Sequence, residues 1–149
     1  MKHTRTWILI ADGAYARILL NDGPGRGVHL VPGLDFSVSH DADHEINADR
    51  PGRTFDRLGP GRHAKEPASS PHRLRKAKFA KDLVALLHHK LAEDAFDRLI
   101  VVAPPKTLGD LRSEMSKPVL NRISGELAKD LTQIPDRQIA RQLEGVLAV

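Results

Sequence analysis

Residues 6–20 read TWILIADGAYARILL. Thr6 to Ala11 is a run of apolar and β-branched residues, as expected of a buried strand. Asp12-Gly13 supplies turn chemistry, and Tyr15 to Leu20 resumes the apolar pattern, so the stretch predicts a β-hairpin. Asn21 to Gly27 forms a second cluster of turn residues. A short strand over Val28 to Val31 then completes an antiparallel meander at the front of the chain.

Beyond the meander the period changes. Phe36 to Ile46 is polar and acidic with two histidines, and reads as an irregular edge strand or a loop. Ser70 followed by Pro71 predicts a helix start, with Ser70 as N-cap and Pro71 at the first helical position. Phe79, Ala80, Leu83, Val84, Leu87 and Leu91 then form an apolar stripe at helical spacing that would pack on a sheet. Residues 98–103, RLIVVA, are a continuous apolar run, which predicts a central strand covered on both faces and the most buried of the sheet.

The last third alternates short elements. Pro104-Pro105 ends the RLIVVA strand, and Thr107 with Asp110 resembles a capping box for a short helix through about Met115. Lys117-Pro118 would break that helix. Over Val119 to Ile134 periodicity slightly favours a helix through Leu120, Ile123, Leu127, Leu131 and Ile134, although Ile123, Gly125, Leu127 and Leu131 also permit a strand. Pro135 opens a final amphipathic helix carrying Ile139, Leu143, Val146 and Leu147.

With 149 residues the chain suits a single domain spanning residues 1–149, large enough for a real core. Apolar residues make up 40% but aromatics only 4%, which makes base stacking an improbable binding mode from composition alone. Cysteine is absent, which excludes disulfides, thiol nucleophiles and thiolate metal sites and fits a reducing cytoplasm. No run of about 18 apolar residues occurs, so no membrane anchor is expected.

The net charge of +4 conceals a sharper distribution. The Gly/Pro-rich basic loop, residues 47–73, reads NADRPGRTFDRLGPGRHAKEPASSPHR. Between Asn47 and Lys81 stand ten Lys or Arg against three acids, while the remainder holds 13 basic and 16 acidic residues. A connection this long and this cationic points to function and to a polyanion partner. The candidate nucleic-acid contacts are Arg50, Arg53, Arg57, Arg62, Lys65, Arg73, Arg75 and Lys76.

Catalytic signatures are weaker. Asp12 resembles the metal- or phosphate-binding Asp-x-Gly of ribonuclease-H-like hairpins, but Asp-Gly is also an ordinary hairpin turn. Asp43, Glu45, Asp97 and Asp110 complete no two-metal spacing with it. His40 and His44 could share a helix face, yet their neighbours favour a polar loop, and the adjacent His88 and His89 point apart. Ser69 and Ser70 read as turn and cap and not as nucleophiles. Gly59-Pro60-Gly61-Arg62 lacks the ending of a phosphate loop. No metal or other cofactor is expected.

Taken in order, WILIADGAYARIL, DRPGRTFD, GRHAKEP, FAKDLVALL, LIVVAPPKTLGDLR and KDLTQIP resemble the bacterial host attachment protein family over nearly the whole chain. That family in turn is similar to the middle domain of archaeal and eukaryotic peptide-chain release factors. The resemblance implies an α/β fold of ribonuclease-H-like topology, a mixed sheet flanked by helices with a long loop before its first long helix. It also implies a strand at Arg122 to Leu131. In release factors that loop carries a Gly-Gly-Gln motif that helps water attack peptidyl-tRNA. The glutamines of this chain are Gln133, Gln138 and Gln142, all far from the loop. The expectation is therefore a non-enzymatic cytoplasmic protein binding rRNA, tRNA or the ribosome, with an indirect effect on attachment to host cells. The rivals are a release-factor-like hydrolase, a metal-dependent nuclease using Asp12, and an interaction module for an acidic protein.

Overall fold

Thr6–Ala11 forms strand β1, and all six of its residues are buried. A strand buried at every position has to be covered on both faces and paired on both edges, and β1 is. The computed structural model describes residues 3–38 and 70–146. In it β1 pairs antiparallel with β2 (Tyr15–Asn21) and parallel with β4 (Arg98–Val102). With β3 (His29–Ser37) and β5 (Ile123–Leu127) they make a five-stranded mixed sheet in the order β3-β2-β1-β4-β5. The central position thus belongs to β1, and RLIVVA lies beside it.

Strand alternation divides the core into two layers. Trp7, Leu9, Leu99 and Val101 face one side, where α1 (Pro71–Ala92), α2 (Pro105–Glu114) and the short α3 (Lys117–Leu120) cover them with Leu83, Val84, Leu87 and Leu111. Ile8, Ile10, Ile100 and Val102 face the other side, under Ile139 of α4 (Asp136–Gln142) and Leu143. The result is an α/β sandwich of three layers. On the first side Trp7 and Phe96 stack with ring centroids 4.9 Å apart.

Helix α1 starts where its sequence signal lies. The Ser70 hydroxyl accepts a hydrogen bond from Arg73 N at 3.0 Å, and Pro71 stands in the first turn. Replacing Ser70 by Ala is expected to cost about 1 kcal/mol of stability, read as a lower denaturant midpoint with an unchanged slope. At the far end of α1, Arg5 clasps the turn into β4. Its backbone N and Nε both donate to Asp97 Oδ2, at 2.8 and 3.2 Å, and Nη1 donates to the carbonyl of Asp94 at 2.6 Å. Hydrogen bonding to Asp97, partly opposed by desolvation, raises the Arg5 pKa above its usual value.

Four sequence expectations need correction. Strand β3 runs to Ser37 and does not stop at Val31, because the register shifts between Arg17 and Leu19 absorb Pro32 and Gly33, the latter at φ 80°. An edge strand tolerates such a bulge. Helix α2 begins after Pro104 with no side-chain cap among the described residues, so Thr107 is a buried residue of its first turns and not a capping residue. Pro118 begins α3, after α2 has already ended at Glu114. Residues 123–127 are a strand, as the resemblance implied within Arg122 to Leu131 and against the slight helical periodicity. The open edge of β4 decides this, since Leu99 N donates to Arg122 O at 2.8 Å and Ala103 N to Leu127 O at 3.1 Å. The final helix ends at Gln142. Val146, beyond it, packs 3.3 Å from where a Cβ on Gly125 would stand.

Candidate functional site: a cationic notch at the carboxyl ends of the parallel strands

The carboxyl end of β1 is a point where the chain turns to β2 on one side while β4 lies on the other. Asp12 makes the turn itself, as its Oδ1 accepts hydrogen bonds from Ala14 N at 2.8 Å and Tyr15 N at 2.7 Å. Val38 N donates to Ala14 O at 2.8 Å, which ties the end of β3 to the same turn. The first turns of α1 come down on it from the other side.

Gly13 is needed for that approach. A Cβ there would meet Lys76 Cγ at 2.8 Å, so the aliphatic stem of Lys76 lies directly across the turn. Around it Ala14, Val38, His72, Arg75 and Lys76 enclose with Gly13 a notch of about 70 Å³. Arg73 faces α2 instead, where it is ion-paired with Asp110, both side chains being mostly buried. A larger groove of about 570 Å³ between the end of β3 and α1, lined mainly by Phe36, Phe79, Leu83 and Leu86, shares Val38 and Arg75 with the notch.

A family model described as "Protein required for attachment to host cells" matches residues 7–143, from β1 through α4. The chain belongs to this host attachment family. Membership implies a role in attachment to host cells. No curated protein matches the chain. Among the described residues no helix is long and apolar enough to cross a membrane.

Of the nucleic-acid contacts expected from sequence in this host attachment family member, Arg75 and Lys76 come together at the notch and Arg73 is turned to Asp110. Arg50, Arg53, Arg57, Arg62 and Lys65 lie outside the described residues, as do His40 and His44. His72, Gly13 and the two phenylalanines of the groove carry no motif and were not legible as site residues. Their relation exists only once β3 and α1 are packed side by side.

The other candidate side chains that the structure describes have close partners. Asp12 Oδ2 lies 3.4 Å from Thr132 Oγ1, which donates to Asp130 Oδ1 at 2.5 Å. Among the described residues there is no cluster of three or more metal-ligating side chains. His88 Nε2 accepts from Ser116 N at 3.1 Å, whereas His89 faces Glu93 at 3.2 Å, so the adjacent histidines do diverge.

Proposed function

We propose that this host attachment family member is a non-enzymatic cytoplasmic RNA-binding protein, engaging the phosphates of rRNA or tRNA. Arg50, Arg53, Arg57, Arg62 and Lys65 of the basic loop would act together with Arg75 and Lys76 at its base. The observation that carries the reading is the placement of the loop's flanks. Val38 precedes the segment and lines the notch, and Ser70 follows it and caps the helix that brings Arg75 and Lys76 to the same notch. The cations at the start of the helix would then add to those of the basic run that precedes it in sequence.

The similarity to release-factor middle domains, with their ribonuclease-H-like topology, supports the same reading, because there the equivalent loop reaches ribosomal RNA. This loop has no glutamine to position water, which favours binding over peptidyl-tRNA hydrolysis. An effect on attachment would then be indirect, through an RNA or ribosome partner.

The test is the salt dependence of binding to a short single-stranded RNA. Seven phosphate contacts predict a plot of log affinity against log salt with a slope of about −5. A slope near zero, or no binding at low salt, sinks the proposal.

A further inference from the structure

Met115 and Ser116 connect α2 to α3, and the ring of a histidine on α1 is tied to the main chain of that connection. His88 Nε2 accepts a hydrogen bond from Ser116 N at 3.1 Å, partly shielded from solvent. A backbone N–H only donates, so the bond requires a lone pair on Nε2. The ring is therefore neutral and carries its proton on Nδ1. Once the imidazole takes up a second proton, Nε2–H and Ser116 N–H point at each other and the bond is lost.

The connection has little else to hold it in register with α1. Helix α3 is a single turn, Lys117–Leu120, whose N-cap Ser116 makes no side-chain capping bond. It leads through Arg122 into β5, where Leu99 N donates to Arg122 O at 2.8 Å. Its apolar side chains Met115 and Val119 are 8% and 1% exposed, so movement of the connection uncovers core surface.

Few charges compete at this contact. One turn away from His88 on α1 stand Val84, Ala85, Leu91 and Ala92, none of them ionisable, while His89 and Lys90 face Glu93. The sheet beneath α1 offers Trp7, Leu9, Leu99 and Val101. Arg112 of α2 is paired with Glu126, Arg5 with Asp97, and Arg122 donates to the Asp97 carbonyl. Glu114 and Lys117, of opposite charge, flank the connection and are exposed.

We propose that His88 is a pH-sensitive latch, which holds the α2–α3 connection against α1 while neutral and releases it on protonation. Because the intact bond excludes the second proton, acid favours the released form. The hold is present at about pH 8 and is lost toward about pH 5, the interval in which histidines change charge.

Amide hydrogen exchange of the full chain, corrected for intrinsic rates, tests it at those two pH values. Protection of the Ser116 amide is expected to fall about ten-fold on acidification, as for a hydrogen bond lost with its donor left unpaired. Leu83 and Val84, in the middle of α1, should keep theirs. His88→Gln supplies a carbonyl oxygen that accepts without titrating, so in that variant Ser116 protection should be the same at both pH values. Invariant protection in the unmodified protein, or an equal fall in His88→Gln, overturns the latch. Ring nitrogen chemical shifts of the unmodified protein decide independently of any variant. A neutral His88 with its proton on Nε2 overturns the proposal, whereas the proton on Nδ1 supports it.

Discussion

Arg17→Met is expected to lower the free energy of unfolding by about 3 kcal/mol. Arg17 lies on β2, and its side chain is only 7% exposed. From there the guanidinium reaches across to the segment joining β5 to α4. Nη1 donates to Thr132 O at 2.9 Å, Nη2 to Ile134 O, and Nε to Asp136 Oδ1 at 2.8 Å. A methionine fills much of the volume but donates nothing, leaving the two carbonyls without their donor at about 1–3 kcal/mol each where they stay buried. The Asp136 carboxylate is 41% exposed and returns to water, so its share is small. Asp136→Asn, which leaves both carbonyl bonds in place, should cost less than half as much. Urea unfolding of the two variants gives the comparison. A loss under about 1 kcal/mol in Arg17→Met would mean that the segment relaxes onto water without cost.

The second large effect concerns affinity. Replacing Arg50, Arg53, Arg57, Arg62 and Lys65 together by alanine should reduce RNA affinity about 100-fold near physiological salt and flatten the salt slope by about 0.7 for each phosphate no longer neutralised. Urea unfolding of the same variant separates a loss of binding from a loss of fold. Arg73→Ala gives the contrast. Its ion pair with Asp110 ties the first turn of α1 to α2, so that substitution should act mainly on the unfolding midpoint. Undiminished RNA affinity in the five-fold variant refutes the basic loop as the binding element.

Most strands and the long helix were legible because their side chains obey one period over several residues. Thr6–Ala11 is buried and, after Thr6, apolar throughout, Ser70-Pro71 marks a helix start chemically, and RLIVVA has no polar face beyond its exposed Arg98. Legibility failed where an element is short or irregular. Leu120, Ile123, Leu127, Leu131 and Ile134 mimic a helical stripe but belong to α3, β5 and the loop after it. Pro32-Gly33 signals a break, yet the chain crosses it as a bulge because an edge strand needs partners on one side only.

The site divides in the same way. Charge is a property of composition, so the cationic run could be recognised without coordinates. Arg17 could not, because a lone arginine in an apolar strand gains its meaning from carbonyls more than a hundred residues away along the chain. Sequence by itself determined the elements with strong local periodicity, the lack of thiol chemistry, the place of the basic run in the chain and the resemblance to the host attachment family. Tertiary structure alone decided that β1 is central, that β5 pairs with β4, and that Gly13, Val38 and Lys76 meet in a notch near Phe36 and Phe79. The physical reason is range. Propensity, turn chemistry and charge act between neighbours, whereas hydrogen bonds at a sheet edge and the walls of a cavity exist only between segments that folding brings together.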